Sequence, residues 1–197
     1  MDKSEKRFER DIESFLVSPA GGYEQFVGQD KDGNWIHNRQ HDIDKCVYMD
    51  VLIEFIEKTQ PKAWERYKKY YGANAPEKLY RRLEDTICNQ GLIYVLRNGI
   101  DDMGIKLKVC YFKPESVLND TLQELYEANI LGCTRQFKYS PHLNNTIDMV
   151  LSINGIPVVA LELKNQLTGQ DYQCAINQFK YDRSSKEFCF RLNHRFL

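Results

Sequence analysis

The stretch from Thr146 to Lys164, TIDMVLSINGIPVVALELK, constrains the fold more than any other part of the 197-residue chain. Two apolar runs rich in β-branched residues flank an Asn-Gly pair, which is the pattern of a β-hairpin. Asp148 stands near the start of the first run, and Glu162 and Lys164 stand two residues apart at the end of the second. Because side chains two apart on a strand share a face, the hairpin presents a carboxylate beside an ammonium group.

The pairing of the two strands decides whether these polar side chains meet. A regular two-residue turn at 154–155 would put Asp148 opposite Leu161, with Glu162 on the other face. A three-residue connection, or one β-bulge, shifts the pairing by one and sets Asp148 opposite Glu162. The two-residue register would mix Glu162 and Lys164 into the large apolar face, where burying unpaired charges is costly. The sequence therefore predicts a loop of odd length or a bulge near 154–155.

Carboxylates that face each other across a hairpin, with a lysine beside one of them, are the minimum equipment for metal-assisted phosphodiester cleavage. Mg²⁺ takes oxygen ligands and keeps several waters. Asp148, Glu162 and the backbone carbonyl of Leu163 fit that need, with Mn²⁺ as the expected substitute. Lys164 would orient the attacking water or stabilise charge on the phosphate. The alternative interpretation is a salt bridge between Glu162 and Lys164 at a strand end, with Asp148 as a turn residue.

Hydrophobic periodicity predicts the other elements. Helices are expected over 4–17, 48–58, 62–71, 76–96, 119–128 and 168–183, and strands over 105–112, 133–139, 146–153, 157–164 and 188–197. The polar, Asp/Asn/Gly-rich residues 22–45 are expected to be irregular. The first helix is expected to bury the stripe Phe8, Ile12, Phe15 and Leu16. We interpret residues of roughly 40–100 as a mainly helical insertion within a single α/β domain that covers 1–197.

Composition and charge narrow the function classes. No apolar run approaches the length of a membrane span, and the N-terminus lacks the apolar core of a secretory signal, so the cytoplasm is the expected compartment. The six cysteines include no C-x2-C pair, which argues against a zinc site or a disulfide framework. The net charge is −1, yet residues 62–82 carry seven Lys/Arg against two Asp/Glu, which permits a DNA-facing surface.

Several segments together resemble one protein family. The arrangement of Asp148, Glu162 and Lys164 looks like the PD-(D/E)xK nuclease superfamily. More narrowly, ALELKNQLTGQ followed by QFKYDR, together with YFKPES at 111–116 and LYEAN at 125–129, resembles the N-terminal nuclease domain of the motor (R) subunit of type I restriction enzymes. The resemblance implies a restriction-endonuclease-like core, a mixed sheet flanked by helices, with those three residues as the catalytic set.

The same resemblance nominates supporting residues. Many superfamily members place a glutamate on the first core helix near the metal, which implies Glu9, with Glu13 one turn later as the rival. The family commonly carries a Q-x-x-x-Y motif after the catalytic strand, and here Gln178 is followed by Tyr181 three residues on. These two residues are expected to support the active centre or to contact DNA.

The resemblance also implies partners. The substrate would be double-stranded DNA, and modification and specificity subunits would supply sequence recognition. The chain has no G-x4-G-K-[ST] phosphate loop, so any ATP dependence would come from a downstream motor domain. The expected strand at 188–197 runs to the last residue, which suggests an N-terminal fragment of a longer chain.

Two other functions remain open on the sequence. One is a nuclease-like docking module that no longer cuts and attaches a DNA motor to its partners. The other is an autonomous structure-specific nuclease of the same superfamily. Metal binding discriminates against the first, since a docking module has no need of a cation, and activity of the isolated chain on branched DNA would favour the second.

Overall fold

The structure, a computed structural model, describes residues 3–115, 119–142, 144–163 and 176. The expected helix at 168–183 and the expected strand at 188–197 therefore fall, apart from residue 176, outside the described residues. Within them the chain begins with helix α1 (Lys3–Leu16) and continues into strands β1 (Glu24–Gln29) and β2 (Trp35–His37).

A helical segment follows and then the main strands. The helices are α2 (Met49–Thr59), α3 (Pro61–Tyr71), a 3-10 turn (Gly72–Asn74), α4 (Ala75–Gln90) and α5 (Leu92–Asn98). After them come β3 (Ile100–Asp102), β4 (Ile105–Leu107), α6 (Asp120–Glu127), β5 (Leu131–Lys138), β6 (Thr146–Ile153) and β7 (Ile156–Leu161). The predicted helix at 76–96 is divided at Gly91, whose φ of 89° ends α4.

Among the described residues, five strands form the main sheet in the order β2-β1-β5-β6-β7. Strands β1 and β5 pair in parallel and the other neighbours are antiparallel, so the sheet is mixed. Helices flank this sheet, as expected for a restriction-endonuclease-like core. No described helix has both the length and the apolar character that a membrane span requires.

The hydrophobic core lies between the sheet and the helical segment. Phe26 of β1 and Val150 of β6 join a continuous cluster with α2 residues such as Leu52 and Phe55, all nearly or fully excluded from solvent. Tyr48 precedes α2, and its hydroxyl group forms a hydrogen bond of 2.8 Å with the hydroxyl group of Thr134 of β5. Burial of this apolar surface holds the sheet in place and thereby positions the ends of its strands.

Two expectations about the sheet were wrong. Residues 22–45 contain β1 and β2, because Phe26 and Val27 are buried and the intervening loop closes as a turn around Asp30. The predicted strand 105–112 is ordered as a strand only over Ile105–Leu107, where it forms a short hairpin with Ile100–Asp102 outside the main sheet. Both errors arise because strand length depends on available partners, which local alternation does not report.

The buried face of α1 also differs from the expectation. Phe8 and Phe15 are 53% and 65% exposed, whereas Glu9 and Glu13 are 1% and 4% exposed. The helix therefore turns a pair of glutamates, four residues apart, toward the sheet. The hydrophobic stripe is a poor guide to the buried face here because the facing strand carries a buried arginine, Arg135.

Candidate active site

The β6–β7 hairpin is closed by a two-residue turn. Asn154 and Gly155 have φ values of 49° and 80°, the left-handed conformations that a type I′ turn requires. Ile153 pairs with Ile156, as a regular turn of this kind dictates. A Cβ on residue 155 would also collide with the backbone carbonyl of Tyr48.

The turn is tied to the rest of the core by Asn154, which is fully buried. Its side-chain amide donates to the carbonyl of Val109 at 2.8 Å and to the side chain of Asn129 at 2.9 Å. Its Oδ1 accepts the backbone N–H of Ile130 at 2.7 Å. Both N–H donors and one acceptor position of this amide are used, so the closed end of the hairpin is tied to three other residues of the chain.

The register shifts by one residue after the turn. Ser152 pairs with Pro157, but Leu151 pairs with Val159, so Val158 is the extra residue of a β-bulge. The prediction of a bulge near the turn is confirmed, although the turn itself has two residues. Beyond the bulge the pairing continues to Met149 opposite Leu161.

This shifted register brings the predicted catalytic carboxylates to neighbouring strands at the same end of the hairpin. One step beyond the last pair, Asp148 falls opposite Glu162. The backbone N–H of Leu163 donates to Oδ2 of Asp148 at 2.7 Å, which is direct contact across the hairpin. Asp148, Glu162 and Leu163 are each half-buried. Lys164, Gln178 and Tyr181 lie outside the described residues.

A buried arginine occupies the contact between α1 and β5. Arg135 is 2% exposed, and its Nε and Nη2 donate to Oε2 of Glu9 at 3.1 and 2.8 Å. Its Nη1 donates to Oε2 of Glu13 at 3.0 Å. The ring of Trp35 lies 5.7 Å from the guanidinium carbon, within cation–π range. Two carboxylates therefore share one guanidinium in a site closed to water.

The charge of Asp148 reaches this cluster. Burial raises the pKa of the Glu9 carboxyl, the hydrogen bonds and charge of Arg135 oppose that rise, and the negative charge of Asp148 adds to it. Glu9 is consequently balanced between a cation that stabilises its ionised form and a burial that disfavours it. The electrostatic effect of Asp148 on Glu9 links the first helix to the open end of the hairpin.

Gln136 lies between these two groups. In the pairing of β5 with β6 it falls opposite Asp148, between the pairs Arg135–Met149 and Phe137–Ile147. Its side-chain amide donates to Oε1 of Glu9 at 3.2 Å, and its Oε1 accepts the hydroxyl of Thr146 at 2.8 Å. Its φ is 49°, a conformation that side-chain-bearing residues rarely adopt inside a strand.

The open end of the hairpin offers few protein ligands to a divalent cation. Within the described ranges, no group of three His, Cys, Asp or Glu side chains is arranged to hold a metal ion. Two carboxylates, Asp148 and Glu162, with the carbonyl of Leu163, fit an ion that retains most of its water, as Mg²⁺ does. Glu9 has both carboxylate oxygens engaged by Arg135 and Gln136, so its role as a metal ligand stays a prediction that these contacts disfavour.

Sequence reasoning missed the roles of Arg135 and Gln136, and a signal was present for Arg135 alone. The strand reads LGCTRQFK, and an arginine that follows apolar or small residues needs a buried partner if it faces inward. Glu9 and Glu13, four residues apart on a helix, are the matching carboxylates. Only the packing of α1 on β5 shows that these three side chains meet.

Comparison with known proteins identifies the protein family to which this sequence is similar. The chain matches the family described as "Type I restriction enzyme R protein N terminus" over residues 9–196. Neither a search of curated proteins nor a search of solved structures gave a match. Because the family match covers nearly the whole sequence, the chain belongs to the family of type I restriction enzyme R protein N termini.

Proposed function

We propose that this domain is a Mg²⁺-dependent endonuclease that hydrolyses phosphodiester bonds of double-stranded DNA. The observation that carries the proposal is the shifted hairpin register, which sets Asp148 opposite Glu162 and joins Asp148 to the backbone of Leu163 at 2.7 Å. A regular register would have put the two carboxylates on opposite faces of the sheet. Membership of the restriction enzyme family supports the same assignment.

The chemistry follows from the residues at the open end of the hairpin. The N–H of Leu163 occupies one oxygen of Asp148 and fixes the orientation of the carboxylate. Asp148, Glu162 and the carbonyl of Leu163 would hold Mg²⁺. A bound Mg²⁺ supplies charge neutralisation at a phosphate oxygen and a lower pKa for a bound water. Lys164 is proposed to orient the attacking water or to stabilise charge on the phosphate.

The proposed working form is a cytoplasmic complex. Modification and specificity subunits would select the DNA site, and a motor domain elsewhere in the R protein would consume ATP. The family description supports the restriction enzyme context and leaves these finer assignments as proposals. Gln178 and Tyr181 are proposed to support the active centre or to contact DNA.

The test is plasmid cleavage by the assembled restriction enzyme. Asp148→Asn, Glu162→Gln and Lys164→Ala should each reduce cleavage by at least about a hundredfold, the scale expected when one electrostatic contact to the transition state is lost. DNA-dependent ATP hydrolysis should persist, which shows that assembly is intact. Asp32→Asn, in an exposed loop, is the matched control and should cleave normally. Retained cleavage in the first two variants would refute the proposal.

Metal binding separates this function from a silent docking module. Calorimetric titration with Mn²⁺ should show binding to the wild-type enzyme and its loss in Glu162→Gln. A docking module would take up no cation at this position, and the two proteins would then give the same titration.

A further inference from the structure

A cavity of about 500 Å³ lies beside the C-terminal half of β5. Its walls come from β1, from the end of β2 and the loop that follows it, and from the second half of β5. The polar side chains that line it are His37, Arg39, Gln40, His41, Thr134, Gln136 and Lys138, and none of them is a carboxylate. Positive charge and nitrogen donors therefore dominate its polar lining.

The cavity adjoins the candidate active site through two residues of β5. Gln136, which lines the cavity, falls opposite Asp148 in the pairing of β5 with β6. Lys138, two residues or about 7 Å farther along the strand, pairs with Thr146. A ligand in the cavity would consequently lie one strand away from Asp148.

The charges at the cavity favour an anion. Lys138 is half-buried, and no carboxylate among the described residues forms an ion pair with it. Arg39, in contrast, is held by Glu24 at 2.9 Å and by Glu54 at 2.7 Å, so it contributes a fixed wall. The ammonium of Lys138 is thus the cation that remains available to a ligand, and lysine is a common phosphate-binding side chain.

His41 contributes a polar atom without a partner. Its ring stacks on Tyr48 and lies against Phe137, with centroids 5.1 and 4.3 Å away. Nε2 is buried and makes no hydrogen bond among the described residues. A buried nitrogen that lacks a partner costs stability, so such atoms are usually satisfied by a ligand or a water.

We propose that this cavity binds a backbone phosphate of the DNA, one that neighbours the bond to be cut. The ammonium of Lys138 would neutralise the phosphate. His41, as the neutral tautomer with its proton on Nε2, would donate a hydrogen bond to a phosphate oxygen. The inference rests on the proposed nuclease function and adds a subsite that holds the substrate strand beside the open end of the hairpin.

The test measures binding of a short DNA duplex to the full chain as a function of salt. Lys138→Gln should weaken binding and reduce the slope of log affinity against log salt by about 0.9, the value for one lost phosphate contact. Lys106→Gln is the matched control, because Lys106 is exposed on β4 outside the main sheet, and it should leave the slope unchanged.

A second variant isolates the histidine. His41→Phe keeps the ring stacking and removes Nε2, and should reduce affinity roughly twofold to tenfold, the fold-change of one ordinary hydrogen bond. Wild-type slope and affinity in Lys138→Gln, or no measurable DNA binding by the wild type, would overturn the subsite. Cleavage that survives in Glu162→Gln would instead overturn the nuclease function, so the two failures are distinguishable.

Discussion

Two pairs of carboxylates lie near β5 and β6, and the fold treats them differently. Glu9 and Glu13 are almost fully buried and share the guanidinium of Arg135, with contacts of 2.8 to 3.1 Å. Asp148 and Glu162 are half-buried at the open end of the hairpin, where Asp148 accepts a backbone N–H. The first pair shares one buried cation, whereas Asp148 of the second pair is held by a backbone N–H.

The difference shows how one functional group serves two purposes. A buried carboxylate that is paired with a cation is costly to disrupt, because removing its partner strands a charge in the interior. A half-buried carboxylate oriented by the backbone contributes little to stability and retains oxygens for a metal. We therefore expect the Arg135 cluster to determine stability and the hairpin pair to determine cleavage.

The largest stability effect should come from Arg135→Ala. Its removal leaves Glu9 and Glu13 buried without a cation, which should lower the free energy of unfolding by about 3–5 kcal/mol. Asp148→Asn should change it by less than about 1 kcal/mol, because the amide oxygen can still accept the N–H of Leu163. Urea denaturation followed by circular dichroism measures both values.

A triple variant sharpens this comparison. Replacing Arg135 by Met and both glutamates by Gln removes all the buried charges at once and should recover much of the stability that Arg135→Ala loses. If Arg135→Ala costs no more than Asp148→Asn, the distinction between a structural and a catalytic carboxylate pair fails.

The next effect concerns the closed end of the hairpin, which sets the register of the second pair. Asn154→Ala removes the bonds to Val109, Asn129 and Ile130 and leaves buried backbone groups without partners. It also places alanine at a φ of 49°. The free energy of unfolding should fall by about 2–4 kcal/mol.

Asn145→Ala is the control for this change. Asn145 is exposed in the loop before β6, and its substitution should alter stability by no more than about 0.5 kcal/mol. Equal effects of the two asparagine substitutions would show that the buried network does not anchor the turn.

The contrast between the pairs also shows what sequence reasoning can reach. The hairpin and its shifted register were predictable, because a strand alternates strictly and a slip of one residue moves every side chain to the other face. The buried role of Glu9 and Glu13 was not, since it depends on Arg135, which lies more than 120 residues away in the chain. The pattern of α1 alone favoured a stripe that includes Phe8 and Phe15, which the structure leaves exposed.

The strands that border the site show the same limit. Residues 24–29 and 35–37 are short and polar in part, and they become strands because β5 offers an edge beside which Phe26 is buried. Such elements depend on tertiary contacts more than on propensity. Gln136 likewise adopts its φ of 49° inside a strand that reads as regular, so its position between Glu9 and Thr146 was not predictable.

A smaller effect is expected in the pH dependence of stability. The folded-state pKa of Glu9 is raised by burial. Between the ordinary glutamate pKa and this raised value, the folded protein therefore binds more protons than the unfolded chain. The resulting stabilisation is complete below the ordinary glutamate pKa and is lost as pH rises through the raised value. Glu9→Gln does not titrate, so its stability relative to wild type should increase with pH across this window in urea denaturation. A constant difference would contradict the raised pKa.

The smallest effect tests whether the two pairs are electrostatically coupled. The negative charge of Asp148 contributes to the raised pKa of Glu9, so Asp148→Asn should lower the pKa of that carboxyl toward its ordinary value. Titration of the Glu9 side-chain carboxyl by ¹³C NMR would detect the change. Adding Glu162→Gln to the Asp148→Asn variant measures how much the second hairpin carboxylate changes the pKa of Glu9. An unchanged pKa of Glu9 in Asp148→Asn would mean that the charge of Asp148 does not affect the Arg135 cluster. A Mg²⁺ ion bound at the hairpin would then also leave the pKa of Glu9 unchanged.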